Sequence, residues 1–170
     1  MQGMNVDGAG GFLVQAGAGE EIWDGPIGTR VLVPAAATAG TLSICEMPVT
    51  AGFMVPPHRH RDEDEYSYVL TGRVGARIGD QELTAGPGSW IVKPRGIWHT
   101  FWNAGPEDAR IIELVVPGRF EGFFRRSSDL ARRGELGVEV MEALGREYGV
   151  EVSMDWVDDL ARRYGLEVTI

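Results

Sequence analysis

Two of the three histidines in this chain lie one residue apart, in the stretch PPHRHRDEDEY at positions 56–66. If this stretch is a β-strand, alternate side chains share a face, so His58 and His60 point the same way with Cα atoms roughly 7 Å apart. Two imidazoles at that separation can converge on one metal ion. Such pairs also occur in exposed loops, and acidic runs such as 62–65 are often solvated. The pair alone therefore leaves a metal site and a solvated polar loop as alternatives.

Two further ligand candidates come later in the chain. Glu65 heads the apolar segment EYSYVLT, and His99 follows the turn segment KPRGIW. Three histidines and one carboxylate at the ends of separate strands would form a mononuclear site with open coordination positions. Glu63 competes with Glu65, because a displacement of two residues keeps the same face of a strand. Imidazole and carboxylate suit one divalent transition metal ion, whether Fe, Mn, Ni, Co, Cu or Zn.

Short segments rich in β-branched and aromatic residues precede position 118, and glycine or proline separates them every few residues. Turn signals at 78–82, 85–89 and 103–108 divide these segments. We expect strands at 29–33, 41–47, 52–60, 65–71, 73–78, 82–84, 89–93, 98–103 and 110–116. No helical pattern lies between them, which disfavours a parallel α/β fold. The spacing predicts an antiparallel sandwich or barrel.

The hydrophobic period changes to that of helices after position 118. Two segments there end alike, REYGVEVS at 146–153 and RRYGLEVT at 162–169. A glycine directly after a helical stripe is a common left-handed C-terminal cap, and the residues after it favour an extended chain. We therefore divide the chain into a β-barrel with its N-terminal strands at 1–118 and a helical extension at 119–170. The extension is predicted to contain two or three helices packed on the barrel or at a subunit interface.

Composition excludes several classes of partner. The 170-residue chain has a formal net charge of −9, and its acidic surface disfavours nucleic acid and anionic membrane. No basic helix-turn-helix is recognisable, and no apolar run approaches the roughly 20 residues that span a bilayer. The N-terminal segment lacks the features of a signal peptide, and one cysteine, Cys45, cannot form an internal disulfide. We expect a cytoplasmic protein with one domain and an appendage.

The order of the chemistry-bearing residues resembles the two sequence motifs of the cupin superfamily. The first motif reads Gly52-x5-His58-x-His60-x4-Glu65-x6-Gly72, and the second reads Gly88-x5-Pro94-x-Gly96-x2-His99-x3-Asn103. Together with the segment PGRFEGFF that follows the last strand, they resemble the small single-barrel cupins related to quercetin dioxygenases. The resemblance implies an all-β double-stranded β-helix, or jelly roll, with a helical C-terminal appendage. It also implies that the metal ligands are His58, His60, Glu65 and His99, whereas Asn103 supports a turn.

The resemblance further implies a metal-dependent enzyme that acts on a small molecule. A dioxygenase that combines O2 with an enol, catechol or flavonol-like substrate is the most concrete expectation. All three histidines are used as ligands, so Glu65 is the candidate catalytic base, and pure ligation is its alternative role. Other readings are a non-redox isomerase, cyclase or lyase, and a module that binds a small ligand without turnover. Related small cupins also imply a homodimer.

Strand alternation suggests which side chains line the substrate pocket. The residues expected to share a face with the ligands are Met54, Ser67, Ile97 and Phe101. The aromatic residues expected on the outer face, under helices or in a dimer interface, are Tyr66, Tyr68, Trp98 and Trp102. Val69 also shares a face with Glu65, and each residue that shares a face with a ligand could instead belong to the ordinary barrel core, which is the interpretation that we favour for Val69. Cys45 is expected to be a small core residue and not a reactive thiol. A mostly apolar barrel mouth would suit an aromatic or polyketide-like substrate.

Overall fold

The computed structural model describes residues 11–23 and 28–167. Within these residues ten strands precede the first α-helix, as the hydrophobic periods predicted, and one further short strand lies between the second and third helices. The strands are β1 (Glu20–Trp23), β2 (Thr29–Val33), β3 (Ser43–Val49), β4 (His58–His60), β5 (Asp64–Thr71), β6 (Val74–Ile78), β7 (Gln81–Ala85), β8 (Trp90–Lys93), β9 (His99–Trp102), β10 (Ala109–Val116) and β11 (Val150–Val152). The helices are α1 (Glu121–Arg132), α2 (Val138–Tyr148) and α3 (Val157–Tyr164), with short 3₁₀ turns at Ala35–Thr38 and Gly118–Phe120.

Two antiparallel sheets form the body of the molecule. The six-stranded sheet has the order β1-β2-β3-β10-β5-β8, and the five-stranded sheet has the order β11-β4-β9-β6-β7. Neighbours in each sheet are mostly distant in sequence, as in a jelly roll, where consecutive strands alternate between sheets. The predicted all-β jelly roll with a helical C-terminal region is therefore confirmed.

The core of the barrel is formed by the inward-facing residues of both sheets. Along β10, alternate residues from Ala109 to Val115 are buried. Val69 and Cys45 belong to this core, in agreement with the preferred interpretation of both residues. One inward position of β10 carries a charge instead of an apolar group, because Glu113 is also buried. A buried charge in such a row requires a partner of opposite sign.

The long strand expected at 52–60 is wrong. Only His58–His60 forms a strand, while Phe53 and Met54 make isolated bridges to other segments. Two consecutive prolines, at positions 56 and 57, interrupt the hydrogen-bond ladder because proline has no backbone N–H. The interruption resets the alternation, so Met54 does not share a face with His58. Met54 instead pairs with Trp102 and packs in the cluster that α3 covers.

The segment after position 118 contributes a strand as well as helices. Gly149 ends α2 with a left-handed φ of 70°, and Val150–Val152 then extends as β11, as the glycine signal predicted. β11 pairs with β4, so Val150 is opposite His60 and Val152 is opposite His58. In the second such segment, Glu167 bridges to Phe53, and positions 168–170 lie outside the described residues. Part of the extension is thus integral to the sheet that carries the histidine pair.

The outer side of the five-stranded sheet is covered by the last helix. Leu160 and Val157 of α3 pack on Trp102 of β9, so this predicted outward aromatic residue does lie under a helix. None of the helices in the described stretches is long and apolar enough to cross a membrane.

The strand β1 was not predicted, because its segment EEIW lacks the alternation that marks a longer strand.

Candidate metal centre

Three strands bring the candidate ligands together between the two sheets. His58 and His60 lie on β4 and His99 on the neighbouring β9, where His99 is the direct cross-strand partner of His58. Cross-strand partners have Cβ atoms about 5 Å apart, so their rings meet. Glu65 lies on β5 of the opposite sheet and reaches the histidines across the barrel. The site therefore needs both sheets.

The ligand atoms of the four side chains form a tight group. The Nε2 atom of His99 lies 3.1 Å from Nε2 of His58 and 3.1 Å from Oε2 of Glu65. The Nε2 atom of His60 lies 3.4 Å from Oε1 of Glu65. One ligand atom from each of the four residues lies within 4.8 Å of the others, a spread that suits coordination of one ion. All four residues are almost fully buried, and His58 is the most exposed of them at 9%.

The imidazoles have the protonation and orientation that a metal ligand needs. The Nδ1 atoms of His58 and His99 lie 2.9 Å from the backbone carbonyl oxygens of Pro56 and Ile97. A carbonyl only accepts, so each Nδ1 carries the hydrogen and each Nε2 keeps its lone pair for a cation. Burial, followed by the effect of the other two histidines, lowers the pKa of His58 well below 6.5. Burial likewise lowers the pKa of His60, so both rings are neutral at neutral pH.

His60 supplies the test of whether a metal fits this site. Both of its ring nitrogens are buried, and neither has a hydrogen-bond partner among residues 11–23 and 28–167. Leaving a buried polar atom without a partner costs about 1–3 kcal/mol, so such an atom in a native fold calls for an explanation. A cation among the four ligand atoms would satisfy Nε2. The donor set, three imidazoles and one carboxylate, also matches that of divalent transition metals.

The side chains of the four acidic residues at 62–65 point alternately outward and inward. The carboxylates of Asp62 and Asp64 point outward and pair with Arg61 and Arg95, with N···O distances of 2.8 and 2.7 Å. The two glutamates of the run point inward instead. The solvated-face interpretation therefore holds for the aspartates and not for the glutamates.

The inward glutamates have different positions relative to His60. Glu65 faces the Nε2 side and joins the ligand group, whereas Oε2 of Glu63 lies 3.9 Å from Nδ1 on the other side of the ring. Glu63 is fully buried, and neither carboxylate oxygen has a hydrogen-bond partner in the part of the chain that the structure describes. Burial raises the pKa of Glu63 above its ordinary value. The geometry thus places Glu65 among the ligands and Glu63 behind one of them.

A buried lysine and a second buried glutamate adjoin the ligand group, and neither was predicted from the sequence. The ammonium of Lys93 lies 3.2 Å from Oε2 of Glu65 and 2.9 Å from Oε2 of Glu113. The Ser67 hydroxyl donates to the same Glu113 oxygen at 2.7 Å. One signal in the sequence could have found this cluster: Lys93 is the only lysine of the chain, and it ends a strand whose alternate residue Ile91 is apolar.

The lysine opposes the effect of burial on the pKa of both carboxylates. Burial by itself raises the pKa of Glu65, but Lys93 and the histidines outweigh it, and the pKa lies well below 4.5. Burial lowers the pKa of Lys93, yet Glu113 and Glu65 outweigh that effect and the net pKa is raised. Burial raises the pKa of Glu113 despite the opposing effect of Lys93. Glu65 is therefore a carboxylate beside an ammonium cation, the charged form that binds a metal.

Comparison with known proteins agrees with this geometry. Residues 45–116 match the protein family described as Cupin domain. The chain contains a cupin domain. The matched segment includes all four clustered ligand candidates as well as Lys93 and Glu113.

Several known proteins resemble this cupin. Quercetin 2,3-dioxygenase from Bacillus subtilis (strain 168) is 25% identical over 123 residues, which is 72% of this chain and 36% of that protein. The chain thus spans little more than a third of the length of this relative. The structure of the polyketide cyclase RemF from Streptomyces resistomycificus has 26% identity and a TM-score of 0.53, covering 61% of this chain and 78% of that one. A predicted oxalate decarboxylase from Thermotoga maritima has a TM-score of 0.56 at 19% identity, covering 62% and 98%, and shows the fold alone.

The turn residue of the second cupin motif has the structural role that was expected. The Asn103 amide nitrogen donates to the carbonyl oxygens of Val49 and Glu107 at 2.9 and 2.8 Å. Its side-chain oxygen accepts from the backbone N–H of Gly105 at 2.9 Å. All four motif glycines adopt positive φ, at positions 52, 72, 88 and 96. These residues shape the loops next to the site and do not enter it.

The structure separates one of the four predicted pocket residues, Met54, from the other three. Phe101 is buried, with the Lys93 ammonium 5.0 Å from its ring centroid, and Ser67 lies in the same buried cluster through Glu113. Ile97 is 42% exposed beside His99. Met54 is the exception, because it packs on the opposite side of the five-stranded sheet under α3. The prolines before β4 are the physical reason.

An aromatic residue that was not predicted packs directly on a ligand. The ring of Phe120 meets the ring of His60 edge-on with centroids 4.3 Å apart. Phe120 is stacked in turn with Phe123, 5.0 Å away, and is buried with Val115 and Val150. It follows the last barrel strand within the segment PGRFEGFF, whose clustered phenylalanines are the sequence signal for this aromatic layer.

Proposed function

We propose that this cupin is a metal-dependent enzyme, a dioxygenase that acts on an enol, catechol or flavonol-like small molecule. The observation that carries the proposal is the convergence of three imidazole Nε2 atoms and one carboxylate inside the barrel. His58, His60, Glu65 and His99 would hold one divalent transition metal, drawn from Fe, Mn, Ni, Co, Cu and Zn. When bound, such an ion supplies Lewis-acid polarisation of a substrate oxygen and, if redox-active, electron exchange with O2.

The side chains around the cluster support an apolar or aromatic substrate. Phe120 packs edge-on against His60, and Phe101 packs beside Lys93, the cation next to Glu65. Such walls exclude water and offer faces on which a planar substrate can stack. Ile97, exposed next to His99, would contact the part of the substrate nearest solvent. The similarity to quercetin 2,3-dioxygenase supports the same class of substrate.

Glu65 would act as a ligand first and as a base second. Its carboxylate is ionised, which allows it to accept a proton, but its low pKa makes it a weak base. No histidine is free to take the proton instead, because all three belong to the cluster. Glu65→Gln should retain part of the metal and lose turnover if Glu65 accepts the substrate proton. Undiminished turnover in that variant would leave ligation as its only role.

A second candidate function is non-redox Lewis-acid chemistry, as in an isomerase, cyclase or lyase. The similarity to the polyketide cyclase RemF favours it, since that protein shares 26% identity and the same barrel. Aromatic walls would serve such a substrate equally well. Dependence on O2 separates the two candidates, because a cyclase neither consumes oxygen nor needs a redox-active metal.

The decisive experiment is elemental analysis of protein purified without chelators or nickel resin, together with O2 uptake on a panel of flavonols and catechols. About one redox-active metal per chain with oxygen consumption supports the dioxygenase. Zinc without oxygen uptake supports the Lewis-acid alternative. If the protein binds none of these metals, the catalytic proposal is wrong and a module that binds a small molecule without turnover remains.

Two ligand variants and one matched control identify the metal site. His58→Ala and His99→Ala should each lose most of the metal, because each removes one of only four ligands. Arg59→Ala is the control: Arg59 lies between the two histidines on β4, but its side chain points outward and pairs with Glu151 at 2.7 Å. It should retain full occupancy. Full occupancy in both histidine variants would refute the site.

A further inference from the structure

The only lysine of this chain is 1% exposed and lies inside the barrel at the end of β8. Its ammonium contacts one carboxylate of the candidate metal centre, Glu65, and one that is outside it, Glu113. We propose that Lys93, anchored by Glu113, is a positioning residue that holds the Glu65 carboxylate in place as a metal ligand. This inference rests on the proposed metal centre and names a residue that the centre needs in addition to its four ligands.

The carboxylate of Glu113 fixes the position of the Lys93 ammonium. Glu113 lies on β10, next to β5 in the six-stranded sheet, and its Oε2 atom accepts from both Lys93 and the Ser67 hydroxyl. The lysine side chain reaches this point along the barrel interior, where its ammonium is also 5.0 Å from the Phe101 ring centroid. A buried ammonium with two carboxylate partners and an aromatic face is well compensated for the loss of water. These contacts therefore hold the Lys93 ammonium in this position.

The contact restricts the one ligand that could otherwise move. Glutamate has three side-chain torsions, whereas His58 and His99 are held by their cross-strand pairing and by carbonyl contacts at Nδ1. His60 is held by its pairing with β11 and by the edge-on packing of Phe120. Lys93 holds Oε2 of Glu65 at 3.2 Å, on the side where the carboxylate faces His99. Charged hydrogen bonds to ligating carboxylates orient them and strengthen metal binding. Without Lys93, the Glu65 side chain could rotate out of the ligand group.

Lysine suits this position better than arginine would. Every other basic residue of the chain except histidine is an arginine, and arginines form surface ion pairs such as Arg30–Glu21, Arg59–Glu151 and Arg95–Asp64. A guanidinium is planar and broad, whereas an ammonium is a compact charge on a slim stem that fits between two strands. The single lysine is thus placed where a small buried cation is needed. Lys93 is part of the site because it contacts Glu65 and Glu113, and not because it is the only lysine in the sequence.

The test is a Co²⁺ titration of the full-length protein, followed by the visible d–d absorption, which reports the ligand set. Wild-type protein should bind one Co²⁺ per chain, and Glu65→Gln provides the spectrum of a centre with an altered ligand. Lys93→Met removes the charge and keeps the bulk of the stem. It should bind Co²⁺ about ten-fold or more weakly, with a spectrum shifted from the wild-type toward that of Glu65→Gln.

The matched control is Ile91→Val, two residues earlier on the same strand and in the apolar core. It perturbs the packing of the barrel interior without touching a charge, so its affinity and spectrum should equal those of wild type. A Lys93→Met protein with wild-type affinity and spectrum would overturn the positioning role and leave the metal centre standing. A wild-type protein that takes up no Co²⁺ would overturn both. The two failures are therefore distinguishable.

The inference stays testable if Lys93→Met fails to fold because Glu113 is left without its cation. The double variant Lys93→Met with Glu113→Gln removes both charges together, and its Co²⁺ spectrum gives the same comparison. Wild-type protein labelled with ¹⁵N-lysine provides a test without mutation, because the single lysine gives one assignable Nζ resonance. Titration with Zn²⁺ should shift that resonance until one equivalent has been added. A resonance unchanged by bound Zn²⁺ would show that Lys93 does not act on the centre.

Discussion

At the scale of residues, the alternation of β5 and the segment before it separates four consecutive acidic side chains into two kinds. Asp62 and Asp64 face solvent and pair with arginines, while Glu63 and Glu65 face the barrel interior. Only Glu65 reaches the Nε2 side of the histidines. Of two glutamates two positions apart, one therefore joins the candidate ligand group and the other lies behind His60.

Changing Glu63→Gln should affect metal binding and stability in opposite directions. The carboxylate faces Nδ1 of His60 at 3.9 Å, so its removal should make that imidazole a poorer ligand and weaken metal affinity by roughly ten-fold. No described residue donates a hydrogen bond to the buried carboxylate, so the neutral amide should stabilise the metal-free protein by about 1 kcal/mol. Competition with a chromophoric chelator and denaturation of the metal-free protein measure the two effects.

Asp62→Asn is the control for Glu63→Gln, since its carboxylate is outward and paired with Arg61. It should change neither quantity appreciably, because exposed ion pairs contribute little to stability. Equal metal affinities for wild type and Glu63→Gln would exclude an influence of Glu63 on the centre.

Cys45 should be unreactive while the protein is folded. Burial is the main cause that raises the pKa of its thiol to about 12, so almost no thiolate forms at pH 8. An aromatic disulfide reagent should therefore label the native chain very slowly and the chain unfolded in guanidinium at once. Rapid stoichiometric labelling of native protein would contradict the assignment of Cys45 to the core.

At the scale of elements, the strands were predictable where alternation is unbroken and were mispredicted where proline interrupts it. Segments such as RVGARI and RIIELVV gave strands close to their expected bounds, because no proline interrupts them. The expected strand at 52–60 shrank to three residues, and Met54 moved to the outer layer with it. Side-chain parity cannot be carried across two prolines, since neither continues the ladder.

The close packing of β6 on β9 predicts the cost of one added methyl group. A Cβ at Gly75 would lie 2.3 Å from ring atoms of Trp102, the residue on which α3 packs. Gly75→Ala should therefore destabilise the protein by about 1–3 kcal/mol, measured by chemical denaturation. Gly86→Ala is the control, because a Cβ there meets no atom within 4 Å. Equal stability of the two variants would show that the Trp102 side chain shifts to accommodate the added methyl group without strain.

At the scale of the whole molecule, the outer face of the six-stranded sheet carries an apolar surface. Tyr68 packs on Trp90 with ring centroids 4.9 Å apart, and Tyr66 lies across from Val92 on the same two strands. Trp90 and Val92 remain 54% and 49% exposed at the edge strand β8. Large exposed apolar side chains on an edge strand favour association with a second surface. We propose that this face forms the homodimer expected from the sequence.

Replacing Trp90 with Asp should convert the proposed dimer into a monomer, because it places a charge in the apolar contact. Light scattering coupled to size-exclusion chromatography measures the mass directly. Val152→Asp is the control, since Val152 is also exposed but lies at the edge of the other sheet. A wild-type protein that is monomeric, or a Trp90→Asp protein that remains dimeric, would exclude this face as the interface.

The sequence by itself determined the barrel and the helical C-terminal region, because hydrophobic periodicity is a local property. The resemblance of its motif spacing to that of cupins implied the group of three histidines with Glu65. Tertiary structure decided what surrounds that group. Lys93 and Glu113 meet only because β8 and β10 both border β5, and Phe120 covers His60 only because the chain returns over β4 after the last barrel strand. The pairing of β11 with β4 is likewise non-local. Spacing along a chain fixes which face a side chain takes, but only the packed sheets fix its neighbours across the barrel.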